Sequence, residues 1–165
     1  MITDYAKILR VLTEGEVEFI LIGGVAANLH GSARATYDLD VVYSRSKANI
    51  EKVVEALSPY VPYLRGVPPG LPFKFDVATV RNGLNFTLDT RLGDIDLLGE
   101  VAGGGNYEQL LPYTSGMEAF GVRCKCATLE RLIQLKRAAG RPKDLESLAE
   151  LQALLEERRK RQPEG

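Results

Sequence analysis

Asp38 and Asp40, one residue apart in the run TYDLDVVY, have the spacing that points most directly to chemistry. Alternate residues of a β-strand project from the same face, so a strand here would place both carboxylates side by side. Two negative charges held a few ångströms apart repel, and a divalent cation relieves that repulsion. Hard oxygen ligands favour Mg²⁺ or Mn²⁺, commonly shared with substrate phosphates. The alternative for an isolated Asp-Leu-Asp is a solvated pair at a strand end.

A glycine pair, Gly23 and Gly24, lies before the aspartates and directly after an apolar run that ends in ILI. The apolar run predicts a buried strand, and the residues after the glycines, VAANL, have helical character. A strand, a glycine turn and a helix start favour phosphate binding, because free backbone N–H groups point outward and glycine permits close approach. This corner and the carboxylate pair together predict a site for a nucleoside triphosphate.

The order hydrophobic-Gly-Gly, a short spacer, then Asp-hydrophobic-Asp resembles the signature of the DNA-polymerase-β-like nucleotidyltransferases. The run RATYDLD is similar to the Arg-x-Thr-x-Asp-hydrophobic-Asp form of small bacterial AbiEii-type nucleotidyltransferases. The resemblance implies that Gly23 and Gly24 contact the triphosphate and that Asp38 and Asp40 bind divalent metal. It is close over the first third of the chain and loose over the remainder.

Proteins of that superfamily usually carry a third carboxylate on a neighbouring strand, and the segment LGDIDLL supplies two candidates. Asp94 and Asp96 would share one face of a strand. Asp96 fits the family's hydrophobic-Asp-hydrophobic form better. The resemblance implies that Asp96 completes the metal site and is the general base for the attacking hydroxyl, or a group that orients it. Asp94 follows a glycine, so we expect a turn residue there.

Positive charge beside a triphosphate is expected from Arg34, just before the aspartates, and from Lys136 in LIQLKR. The phrase LIQLKRAAGRPKDLESL resembles the lysine-then-aspartate phrase of AbiEii-type proteins, which matches Lys136 and Asp144, with Lys143 between them. A lysine at such a site is a compact phosphate-binding charge. The alternative for Lys136 is a solvated helix face. Asp144 could instead stabilise the N-terminus of a helix that starts near Pro142.

Composition and length are those of one globular domain. The chain has 165 residues, 45% of them hydrophobic and 26% charged, which suffices for a buried core. Its net charge of −1 argues against a general nucleic-acid binder. Without a long apolar stretch or a secretion leader, we expect no membrane partner and a cytoplasmic location. Cys124 and Cys126 are expected to be packed, reduced thiols, and the single histidine, His30, is expected to end the helix after the glycines.

The elements that must position these residues follow from hydrophobic periodicity and from proline and glycine. We predict strands before the glycines, through the aspartates, over Phe73–Ala78, over Leu84–Leu88, around Asp96 and through the cysteines. We predict an N-terminal helix that ends near Gly15, a helix after the glycine pair and a helix that stops before Pro59. A short helix is predicted from Tyr107 to Leu111, and a C-terminal pair of helices over about 128–158. The stretch from Pro59 to Pro72 is predicted to be a loop that borders the substrate cleft.

The sequence thus predicts an α/β (α+β) nucleotidyltransferase fold, a twisted mixed β-sheet packed with helices, in a single domain over residues 1–165. The leading function is Mg²⁺- or Mn²⁺-dependent transfer of an NMP from an NTP to a hydroxyl of a small molecule, a protein or RNA. The resemblance adds a toxin–antitoxin setting, with an antitoxin or toxin partner. One alternative is a non-catalytic nucleotide-binding or antitoxin-like module, and another is an RNA-binding protein that uses the basic run RRKR near the C-terminus.

Overall fold

The computed structural model describes residues 2–162, in which helices and strands alternate along the chain. The helices within this range are α1 (Tyr5–Glu14), α2 (Gly23–Leu29), α3 (Lys47–Leu57), α4 (Val77–Asn82), α5 (Tyr107–Leu110), α6 (Leu129–Ala139) and α7 (Pro142–Arg161). The strands are β1 (Phe19–Ile22), β2 (Asp38–Tyr43), β3 (Tyr63–Leu64), β4 (Asn85–Thr90), β5 (Gly93–Leu98), β6 (Glu100–Val101), β7 (Gly105–Asn106), β8 (Thr114–Ala119) and β9 (Val122–Ala127). Short 3-10 turns follow α3 and α5, at Ser58–Tyr60 and Leu111–Tyr113.

Seven of these strands form one mixed sheet in the order β3-β4-β5-β2-β1-β9-β8. Strand β2 lies in the middle, antiparallel to β1 and parallel to β5. Strands β6 and β7 pair separately as a small antiparallel hairpin. A mixed sheet packed with helices confirms the predicted fold class.

Alternation along β2 and β5 separates the core from the acidic face. Leu39 of β2 and Ile95 and Leu97 of β5 are fully buried, whereas the aspartates between them are only partly buried. Because strand side chains alternate between faces, the apolar residues point into the core and the acids point to the other side. The hydrophobic pattern therefore fixes the direction of the acidic side chains.

Strand β8 and the β6–β7 hairpin lie where no strand was predicted, and two of the predicted segments also differ from the expectation. Residues Phe73–Ala78 are not a strand: the Asp76 side chain accepts a hydrogen bond from the Thr79 N–H at 2.8 Å and caps α4. The aromatic residues Phe73 and Phe75 and the β-branched Val77 favour a strand, but an N-cap that satisfies a free helix donor outweighs that preference. The stretch from Pro59 to Pro72 is a loop only in part, since it contains β3, which pairs with β4 at the sheet edge.

Helices α6 and α7 form the predicted C-terminal pair. The Thr128 side chain accepts a hydrogen bond from the Arg131 N–H and caps α6, and Gly140 ends it with a left-handed conformation (φ +65°). Helix α7 is tied to the α2–β2 connection, because Glu150 accepts hydrogen bonds from the Ser32 hydroxyl (2.5 Å) and the Ala33 N–H (3.1 Å). The pair is thereby held against the strand that carries the aspartates.

The apolar stripe of α7 packs on the body through Leu151, which is buried, whereas Leu145 is 53% exposed. Residues 1 and 163–165 of the predicted domain lie outside the described residues. None of the helices within residues 2–162 is both long enough and apolar enough to cross a membrane.

Candidate functional site

Three of the predicted acidic residues converge on the partly exposed face of the sheet. Asp40 of β2 lies opposite Asp96 of β5 in the parallel pairing, and Asp38 lies opposite Asp94. One carboxylate oxygen from each of Asp38, Asp40 and Asp96 lies within 4.8 Å of the other two. Three hard oxygen donors at this separation can share one divalent cation.

The pKa values of this cluster reflect repulsion in a poorly hydrated place. Burial, and then the charges of Asp38 and Asp96, raise the pKa of Asp40 to about 8. Burial and the charge of Asp96 also raise the pKa of Asp38, against the opposing effect of Arg65. Without a cation, Asp40 therefore keeps its proton near neutral pH.

Two buried oxygens of the cluster have no hydrogen-bond partner among residues 2–162, namely Oδ1 of Asp40 and Oδ1 of Asp96. A buried polar atom without a partner is costly, and metal coordination removes that cost. The donor set is entirely oxygen, which suits Mg²⁺ or Mn²⁺ better than softer metals. On both grounds the residues fit a divalent ion.

The glycine pair forms the first residues of α2 and packs directly on the strand of aspartates. Gly23 has φ +71°, and a Cβ there would overlap the Asp40 carboxylate. A Cβ on Gly24 would lie 2.7 Å from Thr36 Cβ. Glycine is required at both positions because α2 begins in contact with this part of the site. Contact of the pair with a triphosphate remains a prediction.

Lys136 does not lie on a solvated helix face. Its side chain is 26% exposed, and Nζ lies 3.4 Å from Asp144 Oδ1, while Arg141 Nε lies 2.6 Å from Asp144 Oδ2. The Asp144 side chain is only 1% exposed. Burial by itself would raise the pKa of Asp144, but the hydrogen bond from Arg141 and the charges of Lys136 and Arg141 outweigh burial and lower it. Asp144, in the first turn of α7, therefore fixes two cations beside the cluster.

Arg34 lies at the outer side of the site. Its Nη2 is 3.5 Å from Glu146 Oε2 of α7, and its side chain is 48% exposed. The structure brings Arg34 to the same cavity as Asp38 and Asp40. Arg34 lies at the rim of this cavity and forms an ion pair with Glu146 of α7.

Two cavities meet at Asp40, Asp96, Lys136 and Arg141. The larger, about 440 Å³, has mainly apolar walls and is lined among others by Ile22, Leu98, Val101, Leu132, Leu135 and Ala139. The smaller, about 360 Å³, is polar and is lined among others by Ser32, Arg34, Thr36, Asp38, Lys143 and Ser147. Volumes of this size suit small-molecule ligands. Four cations line the smaller cavity beside its acids, and we call it the basic compartment; the larger one is the apolar compartment.

Arg65 is a site residue that the sequence analysis missed. It follows β3, and its guanidinium nitrogens lie 3.6 Å from Asp38 Oδ2, 3.4 Å from Asp94 Oδ2 and 3.0 Å from Asp96 Oδ1. The predicted loop was expected to border the cleft, but no local pattern marks an arginine within it as a partner of the aspartates. Asp94 is also corrected: Gly93, with φ +114°, makes the backbone turn, and Asp94 lies within β5.

His30 and the cysteines lie outside the cluster. His30 is the C-cap of α2, and its Nε2 lies 2.9 Å from the Ala127 carbonyl oxygen while its Nδ1 lies 3.2 Å from Arg158 Nη2. Burial lowers the pKa of His30, which favours the neutral ring. Cys124 and Cys126 are free and buried, as expected. These three residues contribute to packing.

Similarity to known proteins is visible in the fold. No family model matches the sequence, and no curated protein matches it significantly. The lincosamide antibiotic adenylyltransferase LnuA, in its lincomycin-bound crystal structure, is similar with a TM-score of 0.60 and 16% identity over 93% of this chain and 98% of that chain. TM1012 from Thermotoga maritima, a candidate nucleotidyltransferase, is similar with a TM-score of 0.56 and 16% identity over 87% of both chains. The chain therefore has the nucleotidyltransferase fold.

Proposed function

We propose that this chain is a single-domain, metal-dependent nucleotidyltransferase that moves an NMP from an NTP to a hydroxyl acceptor. The observation that carries the proposal is the convergence of Asp38, Asp40 and Asp96 at the junction of a basic and an apolar cavity. A non-catalytic scaffold has no need for three carboxylates within one cation's reach. The shared fold with an adenylyltransferase supports the same reading.

Asp38, Asp40 and Asp96 would hold Mg²⁺ or Mn²⁺. When bound, the metal would neutralise charge that develops on the transferred phosphoryl group and on the attacking and leaving oxygens. The protein's own part is placement, since nucleotidyl transfer needs the nucleophile and the leaving oxygen in line and little covalent chemistry from side chains.

The basic compartment suits the triphosphate. Lys136 and Arg141 face the cluster from α6 and the start of α7, and Arg34 and Lys143 line the same cavity. Their positive charges would bind the β- and γ-phosphates and stabilise the departing pyrophosphate. Gly23 and Gly24 would let the phosphates approach the backbone. The apolar compartment would take the nucleoside.

Asp96 is the carboxylate we assign to the attacking hydroxyl. Its buried Oδ1 lies 3.0 Å from Arg65 Nη2 and has no hydrogen-bond partner within residues 2–162, and it would accept the proton from an acceptor oxygen. The bond from that oxygen to the α-phosphorus would form as the bond to pyrophosphate breaks.

The proposal also covers the class of acceptor and the biological role of the reaction. The LnuA structure was determined with lincomycin bound, which supports a small-molecule hydroxyl as the acceptor class. A substrate screen would compare small-molecule hydroxyls with protein and RNA hydroxyls. A toxin–antitoxin role rests on the resemblance of RATYDLD and LIQLKRAAGRPKDLESL to AbiEii-type proteins. Growth arrest on expression of the wild type, and its absence with Asp38→Ala, tests that setting.

The main test is binding of a non-hydrolysable NTP, measured by calorimetry with Mn²⁺ and with EDTA. We expect binding that requires metal and that Asp38→Ala and Asp40→Ala abolish. Metal-independent binding, or full binding by both variants, would remove the basis of the proposal. Glu156→Gln, an exposed residue of α7 away from both cavities, is a control for loss of an acidic residue outside the cluster.

A further inference from the structure

Arg65 is the closest cation to the aspartate cluster, and it approaches from the β3 edge of the sheet. It lies within 3.6 Å of Asp38, Asp94 and Asp96, whereas Lys136 is engaged with Asp144. Arg65 lines neither of the two cavities, which leaves the cavity side of the cluster open. An entering divalent ion and Arg65 would therefore contact the same carboxylates from different sides.

The contact between Arg65 and these acids is electrostatic, and it is not a bidentate hydrogen-bonded pair. The guanidinium donates its hydrogen bond to the Leu88 carbonyl oxygen at 2.7 Å. Arg65 Nε is buried and has no hydrogen-bond partner among residues 2–162. The same holds for Asp96 Oδ1, which lies 3.0 Å from Arg65 Nη2. Structural arginine–carboxylate pairs typically form two parallel hydrogen bonds, and such bonds hold both partners in place. Asp96 Oδ1 is therefore paired with Arg65 by charge, at 3.0 Å, without a directed hydrogen bond that would exclude another ligand.

The backbone fixes where the guanidinium can reach. The Arg65 N–H donates to the Thr87 carbonyl at 3.0 Å, which continues the pairing of β3 with β4 for one more residue. Together with the Leu88 contact, this anchors Arg65 on β4, the strand next to β5. The sheet therefore brings the charge to the acids, and the ion pairs with them are the part of its surroundings that an entering metal would change.

We propose that Arg65 is a built-in counter-cation, which holds the metal-free aspartate cluster together and competes with entering divalent ions for Asp38 and Asp96. The inference rests on the proposed metal site. In the metal-free protein, one guanidinium charge offsets the repulsion among the carboxylates. On metal entry the same charge repels the ion, so Arg65 lowers the affinity for metal without binding substrate.

The first experiment uses electron paramagnetic resonance to measure Mn²⁺ binding in the absence of nucleotide. It compares the wild type with Arg65→Gln and Arg65→Lys. We expect Arg65→Gln to tighten Mn²⁺ binding by about three- to tenfold and Arg65→Lys to stay near the wild type, because one nearby positive charge is removed only in the former. Arg91→Gln, an exposed residue in the β4–β5 turn, is the matched control and should change nothing.

Thermal unfolding supplies a second readout that a structural role alone would not give. In EDTA, Arg65→Gln should melt below the wild type, and saturating Mn²⁺ should shrink or reverse that difference, because tighter metal binding adds stability to the variant. Weaker or unchanged Mn²⁺ binding by a folded Arg65→Gln overturns the inference and leaves the proposed function standing. A wild type that binds no Mn²⁺ overturns both.

A measurement on the wild type covers the case in which Arg65→Gln does not fold. Phenylglyoxal modifies arginines that are released from ion pairs, and mass spectrometry locates the modified residue. We expect Mn²⁺ to raise the reactivity of Arg65 and to leave that of Arg91 unchanged. Unchanged or reduced reactivity of Arg65 contradicts competition between the guanidinium and the metal.

Discussion

Asp40 and Asp96 lie directly opposite each other on the parallel strands β2 and β5, and each has a buried carboxylate oxygen without a hydrogen-bond partner among residues 2–162. A fold rarely leaves two such atoms together unless something else binds them. The pair is therefore the part of the site whose behaviour should respond most to metal, pH and substitution.

Asp40→Asn should stabilise the metal-free protein at high pH. The pKa of Asp40 rises from 3.8 to about 8 on folding, so the folded chain holds an extra proton between those values and the wild type loses stability as pH rises through this window. Asparagine carries no charge to lose. In EDTA at pH 8, urea denaturation should show a gain of at least about 1 kcal/mol, the scale of one pKa unit.

Well below pH 3.8 the stability difference between Asp40→Asn and the wild type should disappear, because the folded and unfolded carboxyls are then both protonated. With saturating Mn²⁺ the order should reverse, since only the wild type binds the ion fully. An Asp40→Asn protein that is less stable than the wild type in EDTA at pH 8 contradicts the assignment of repulsion at this residue.

Asp96→Asn should separate chemistry from nucleotide binding. Removing the group that accepts the acceptor's proton should lower kcat by about 10²-fold or more, since general bases typically contribute factors of 10²–10⁴. The Kd for a non-hydrolysable NTP with Mn²⁺ should change much less than it does in Asp38→Ala, because asparagine keeps a side-chain oxygen that can contact the ion. Single-turnover transfer from labelled NTP measures the first quantity and calorimetry the second. A normal kcat in Asp96→Asn excludes the proposed role.

Lys136→Met should weaken NTP binding because the lysine contributes charge to the basic cavity. We expect the Kd for NTP to rise about tenfold, comparable to the loss of one charge-assisted hydrogen bond. Arg137→Met, the next residue on the same helix, is the control for loss of a neighbouring cation. The effect should be largest for NTP and smallest for NMP. Equal loss of affinity for NMP and NTP would show that Lys136 does not bind the terminal phosphates.

Asp144→Asn should destabilise the protein and loosen the basic cluster. The pKa of Asp144 is lowered in the folded state, so its contribution is present above the ordinary carboxyl pKa and is lost as pH falls. At pH 7 we expect a loss of about 1–3 kcal/mol, typical of unpairing a buried hydrogen-bonded group. Urea denaturation should show that loss at pH 7 and a much smaller one near pH 3, while Glu146→Gln, an exposed neighbour, stays within about 0.5 kcal/mol of wild type at both.

Local spacing was sufficient for much of the fold and for part of the candidate site. The alternation DLDVVY determines that Asp38 and Asp40 share a face, because strand side chains repeat every two residues. The helix over 129–139 follows from apolar spacing, the Thr128 cap and the terminal Gly140. Each of these depends on residues only a few positions apart, so the sequence by itself determines them.

The family resemblance pointed to Asp96 and Lys136, but only the tertiary structure decided how distant groups meet those residues. The parallel register of β2 with β5 set Asp96 against Asp40 and brought Asp94 into the strand, and the edge pairing of β3 placed Arg65 beside three aspartates. Register and strand order depend on how the whole sheet packs its buried face, and no local pattern encodes them. The cavities depend on the same packing, since α6 and α7 close over strands far away in the sequence.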